Sequence, residues 1–278
     1  MCRIWCRRAW VLHGLLLAAL VAVDATPAYA ISFNFSPGNI KIQARPGQLL
    51  NRSLSITLAK DTTPTRFRAH VEDWWRSADN KRTFYMPAGT VARSCGPWCA
   101  INPVEAVANP GETLTVKLSI RVPDDVQPGG YWAALTLTEV PDPMASRPTG
   151  VGMVFKTSLS VGIFVEVPPA NRSATITGAR VTGDKAFVTL HNDGNIPLRV
   201  TGTFEFYKPG EEQPTAKAQM PAEPLLPEPI NTVEFSVPLP SAKELPSGRY
   251  KVRAIIDTDL DYLMGVQKEL DIVRSENT

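Results

Sequence analysis

The chain has 278 residues, of which 44% are apolar and 20% charged, with 25 Pro, 18 Gly and a formal net charge of +2. That length suits one or two domains, and Pro and Gly at this frequency suit many short segments joined by turns rather than long helices. No segment clusters Lys and Arg, which excludes a nucleic-acid footprint.

Taken in chain order, the first predicted element is a secretory signal peptide over residues 1–30. Arg3, Arg7 and Arg8 precede an apolar run over residues 9–23, and Ala28-Tyr29-Ala30 places small residues where a signal peptidase cuts, before Ile31. The run is short for a membrane span, no Cys sits just after the cut, and no later segment is long and apolar enough to cross a membrane. The signal carries three Arg and one Asp, so its net charge equals that of the whole chain and the mature protein is formally neutral. The expected location is the periplasm, or alternatively the cell surface, with no membrane insertion after cleavage.

Residues 55–74, SITLAKDTTPTRFRAHVEDW, predict a strand, a polar turn and a second strand. SCGPWCA follows at residues 94–100. Cys2 and Cys6 leave with the signal, so Cys95 and Cys99 remain. Two close Cys in an exported chain predict one structural disulfide. A redox dithiol would use two intervening residues and a helix start, and this stretch has neither. TVKLSIRVP, residues 115–123, alternates with period two and puts Val116, Leu118, Ile120 and Val122 on one face. Gly129-Gly130-Tyr131 then opens another apolar strand. A long alternation over residues 153–167 follows, with Leu159, Val161, Ile163, Val165 and Val167 in one row, well beyond the usual five or six residues of a strand.

Pro168-Pro169 interrupts the pattern, and the earlier sequence then recurs. FVTLHNDGNIPLRVTGTFEFY, residues 187–207, matches residues 55–74 with one inserted residue. TVEFSVPLP, residues 232–240, matches TVKLSIRVP without a gap, and Gly248-Arg249-Tyr250 matches Gly129-Gly130-Tyr131. Two copies of one all-β unit are therefore expected: two immunoglobulin-like β-sandwich domains in tandem, over residues 31–168 and 169–278. In each, the Tyr of the Gly-x-Tyr segment is expected to bond back to the preceding connection as a tyrosine corner does.

The sequence offers no active site. His70 and His191 have no Cys or His at metal-ligand spacing, there is no Gly-x-Ser-x-Gly elbow, and GVGMVF at residues 150–155 lacks the third Gly and the helix of a phosphate loop. Asp257, Asp259 and Asp261 lack the Gly and Glu of a calcium loop. No enzyme, cofactor or metal is expected.

YWAALTLTEVPDP (residues 131–143), the long alternating strand ending in IFVEVPPA (residues 163–170), and WCAINPVEAVANPGETLTVKLSIRVP (residues 98–123) together resemble the first domain of the periplasmic pilus-assembly chaperones. The resemblance spans about residues 31–168 and, more loosely, the second domain. It implies a non-enzymatic chaperone that lends its long strand to an unfinished pilus, fimbrial or other surface-fibre subunit, filling the subunit's groove and pairing its open backbone. Leu159, Val161, Ile163 and Val165 are the residues that map to the lent row. Small β-rich exported fibre subunits are the implied partners, together with an outer-membrane assembly platform. The family also grips the subunit's terminal carboxylate with a Lys in this strand and an Arg near the first strand. Here Gly162 takes the Lys position, Gly38 or Asn39 stands where the Arg is expected, with Lys41 nearby, and Glu166 replaces a usual basic residue. The alternative is a structural or adhesive surface protein built from the same domains, with Trp74, Trp75 and Trp98 as candidate contacts. An apolar row accessible without a client favours the chaperone, and a buried row favours the self-contained module.

Overall fold

The computed structural model describes residues 33–140 and 157–274. The signal peptide, the Pro-rich stretch at residues 141–150 and the first residues of the long alternation lie outside them. Ten strands come first: β1 (Phe33–Ser36), β2 (Asn39–Gln43), β3 (Leu49–Leu58), β4 (Thr65–Arg76), β5 (Thr83–Pro87), β6 (Cys99–Asn102), β7 (Glu105–Ala108), β8 (Thr113–Arg121), β9 (Gly129–Glu139) and β10 (Ser158–Val167). They form two sheets, ordered β1-β3-β8-β6 and β2-β10-β9-β4-β5, with β7 also paired to β4. Seven strands follow: β11 (Ala174–Thr182), β12 (Lys185–Asn192), β13 (Leu198–Tyr207), β14 (Ala216–Leu225), β15 (Thr232–Pro238), β16 (Gly248–Asp257) and β17 (Met264–Ile272). Their sheets run β11-β12-β15 and β14-β13-β16-β17. No sheet mixes strands from the two groups, so the chain is all-β and forms two sandwiches.

Period-two patterning explains why these segments are strands. In β8, Val116, Leu118 and Ile120 are buried while Lys117 and Arg121 face water. They meet Leu54, Ile56 and Leu58 of β3, and Leu135 and Leu137 of β9 complete the first core. The repeat copy β15 buries Val233, Phe235 and Val237 in a second core with Val188, Leu190, Phe204 and Ile256. The two matched stretches therefore occupy equivalent places, each ahead of a strand that opens on Gly-x-Tyr. Both tyrosine corners form: Tyr131 donates its hydroxyl to the Gln127 carbonyl at 2.9 Å, and Tyr250 donates to Pro246 at 3.1 Å.

The copies differ at Gly130, where the second has Arg249. The Gly130 N–H donates to the Asn195 carbonyl of the second sandwich at 2.7 Å. A Cβ at Gly130 would lie 2.3 Å from Pro197 Cδ and 2.9 Å from Ile196 Cα. Only glycine permits that approach. Nearby, Leu226 of the second sandwich is buried against Trp74, Trp132 and Ala134 of the first. Arg76 pairs with Glu223 at 2.9 Å, and the Glu234 N–H donates to the Ala78 carbonyl at 2.9 Å.

The expected disulfide is not formed: Cys95 and Cys99 are both thiols. A single 3-10 turn, Gly96–Trp98, separates them, and the Cys99 thiol donates to the Cys95 carbonyl at 3.2 Å instead of meeting its sulfur. Burial pushes the Cys95 thiol well up, with Cys99 and then Asp73 adding to it. The loop is held in another way. The fully buried Asp73 carboxylate accepts from the Val91 N–H at 2.8 Å and from the Ser94 hydroxyl, and Trp98 packs on Tyr131 at 4.6 Å.

Candidate functional site: an open strand edge beside a cleft

β10 pairs with β9 along its whole length, from Ser158 opposite Thr138 to Val167 opposite Gly129. On its other side it pairs with β2 only over residues 162–166. Among the described residues, none pairs with residues 158–161 on that side, whereas the β9 residues opposite them, 135–138, pair with both β10 and β4. Hydroxyls stiffen this end: Thr136 and Ser160 share a hydrogen bond at 2.8 Å, Thr138 and Ser158 share one at 3.2 Å, and Thr136 also donates to Glu72.

The four residues mapped to the lent row do share a face, but it is the core face. Val161 and Ile163 are 0% exposed, Val165 is 1% exposed, and Leu159 is half-buried. Their side chains fill their own sandwich, because β10 lies between β9 and β2 with the β3–β8 sheet packed beneath it. What the described part of β10 offers outward is its backbone edge and the opposite face: Ser158, Ser160, Gly162, Phe164 and Glu166.

That face explains the departures from the family pattern. Gly162, where the resemblance expects a Lys, stands directly opposite Asn39, one of the two candidates with Gly38 for the expected Arg position. A Cβ at Gly162 would lie 2.7 Å from Phe164 Cε2 and 2.8 Å from Asn39 Oδ1, so the Phe164 ring occupies the space a Lys stem would need. Phe164 in turn meets Trp74 edge-on at 6.0 Å. Glu166 accepts from Arg172 and, at 3.3 Å, from Gln43, which ties β10 to the linker into the second sandwich. Phe164 is a site residue that the alternation alone does not single out. Its signal was the Gly-x-Phe spacing, which puts the ring and the glycine on one face of a strand.

Beside this face a cleft of about 570 Å³ opens between the sandwiches. Lys41, Tyr85, Trp74 and Phe164 line one wall, and Pro197 and Pro224 line the other. Tyr85 is 48% exposed. Trp74 is buried, Trp75 stacks on Phe84 at 5.4 Å and Trp98 lies on Tyr131, so these three pack internally and offer no open platform. His70 lies 3.6 Å from Glu72, and His191 lies 3.5 Å from Asp193. Among the described residues no three His, Cys, Asp or Glu gather where a metal could sit.

No family model matches the chain, and no curated protein matches it. Solved structures that resemble it include the CsuC–CsuE chaperone–tip subunit complex of Acinetobacter baumannii Csu pili, at 14% identity over 88% of this chain and 100% of that one, TM-score 0.47. Others are the class 5 fimbriae chaperone CfaA (12% identity, 87% and 100% covered, TM-score 0.45) and the Escherichia coli chaperone DraB (13%, 87% and 98%, TM-score 0.42). All three are described as chaperones, two of them of fimbriae or pili. Likeness at these identities and scores assigns this chain no partner and no activity.

Proposed function

We propose that the mature protein is a periplasmic chaperone that holds an exported, β-rich fibre subunit at the free edge of β10, before the subunit is assembled at an outer-membrane platform. The observation that carries this is the half-open strand: among the described residues nothing pairs with the outer side of residues 158–161, while the β9 residues opposite them, 135–138, are paired on both sides. Free edges of this kind recruit strands, and proteins normally blunt or cover them. Among the described residues no Pro, Lys or inward charge guards this one. A subunit lacking a strand has the complementary open backbone, and main-chain bonds supply affinity in such additions. The residue motifs at 98–123, 131–143 and 163–170 support the same family of function.

The buried row favours a second reading, a self-contained surface module. With Val161, Ile163 and Val165 committed to the core, the described part of β10 contributes backbone rather than side chains. One experiment separates the two. The mature protein is purified from the periplasm of its own host, beside a Ser160→Pro variant whose fold is checked by circular dichroism. Recovery of a small exported β-rich chain at 1:1, lost with Ser160→Pro, supports the chaperone. No chain recovered with correctly folded protein leaves the surface module as the account.

A further inference from the structure

Given capture at the β10 edge, on which this depends, we infer that the cleft seats a bulky apolar side chain at the end of the captured strand, against Phe164 and Tyr85, and does not grip a terminal carboxylate. Three observations carry the inference. The first is continuity. The open stretch at residues 158–161 stops where Asn39 begins to pair with Gly162. A strand laid along that edge runs into Asn39, and its last residue is turned onto the outer face, at the mouth of the cleft. One residue spans about 3.3 Å of strand, so three residues past a last pair at Val161 reach the level of Lys41 and Phe164, which are opposite in register.

The second is the surface waiting there. Phe164 lies flat across Gly162, with Trp74 edge-on behind it. Tyr85 stands opposite Trp74 in the register of β5 with β4, half exposed. Across the cleft are the rings of Pro197 and Pro224. Aromatic faces of this kind gain most from burying another large apolar group. The third is charge. Each arginine in the cleft already has a carboxylate: Arg76 has Glu223 at 2.9 Å, Arg172 has Glu166, and Arg199 has Asp259 at 3.9 Å. Among the described residues only Lys41, exposed at the mouth, lines the cleft as a cation without an acidic neighbour. A single solvated ammonium is a weak anchor for a carboxylate, whereas the neutral aromatic wall suits an apolar end.

Four heptapeptides test this by calorimetric titration into the mature protein: Ser-Val-Ser-Val-Ser-Val followed by Phe or Ser, each as free acid or as amide. The Phe-ended pair is expected to bind about tenfold tighter or more than the Ser-ended pair, as burial of one large side chain implies. Amidation is expected to change binding less than about threefold. Tyr85→Ala, on an exposed edge strand, is expected to shrink the Phe-over-Ser ratio by about threefold with the unfolding midpoint unchanged. A tenfold loss on amidation with no effect of Phe overturns the inference. Equal binding of Phe and Ser ends, abolished by Ser160→Pro, overturns the seat while edge capture stands. No binding by any of the four overturns both.

Discussion

Ile163→Ala separates a core residue from a lent one. Ile163 is 0% exposed in the middle of β10, paired to Ala133 of β9 on one side and Ile40 of β2 on the other. The substitution removes three carbons, worth about 2.4 kcal/mol of transfer free energy at about 0.8 each. The hole left between two sheets adds a cavity cost, because both strands are held by ladder bonds and cannot close on it. A total of about 3–4 kcal/mol is expected, within the usual span of about 2–5 for Ile→Ala in a core. With a urea dependence of about 2 kcal/mol per molar, the first sandwich should unfold about 1.5–2 M earlier, followed by Trp fluorescence, which Trp74 and Trp132 supply. Partner capture by the folded fraction should be unchanged. A stability loss below about 1 kcal/mol, with capture abolished, would refute the assignment of this face to the core and restore Ile163 as a donor side chain. A charge at Val161 cannot serve as this test, because a buried charge there would unfold the sandwich.

Other outcomes follow from the same geometry. Tyr131→Phe and Tyr250→Phe should each cost about 1 kcal/mol by removing one hydrogen bond to a connection, and two losses of similar size in urea unfolding would mark the corners as equivalent. Gly162→Ala should cost about 1–3 kcal/mol through the clash with Phe164 and much less in a Phe164→Ala background, so additive losses would count against the packing described. Gly130→Ala should force the sandwiches apart at Pro197 and Ile196, read as faster proteolysis of the linker at residues 168–173. Glu205 is buried and accepts from Lys217 at 2.7 Å and from the Tyr207 hydroxyl at 2.6 Å. Lys217 first, then Tyr207, hold its carboxyl below the usual carboxylate range. A lowered folded value stabilises above the unfolded value of about 4.3, and that contribution disappears as pH falls through the folded one. The second sandwich should therefore lose stability more steeply than Glu205→Gln does as pH falls below the unfolded value, and parallel curves would contradict this.

Much of the fold was legible because it repeats. TVKLSIRVP and TVEFSVPLP bury the same alternate positions, and each leads into a Gly-x-Tyr whose hydroxyl bonds four residues back. Alternation says which residues share a face, and Val161, Ile163 and Val165 do. It does not say which side of that face the other sheet covers, and in the structure Val161, Ile163 and Val165 are buried. The close approach of the sandwiches at Gly130 was hidden for a related reason. A glycine's missing side chain gains meaning only from what lies beside it, here Pro197, 67 positions along the chain. Cys95 and Cys99 read as a bridge from spacing alone, whereas the 3-10 turn between them directs the Cys99 thiol to a carbonyl. Phe164 shows how a glycine at position 162 is accommodated: the space of one side chain is filled by another two residues away.

The central claim is that residues 158–161 take a partner strand. A photo-crosslinking residue placed at Ser160, with a second placed at Lys117 on the outer face of the other sheet as control, tests it in the host periplasm. Illumination should join a small exported β-rich chain to position 160 and not to position 117. Equal joining at both positions, or none at 160 from folded protein, would contradict strand capture at the β10 edge.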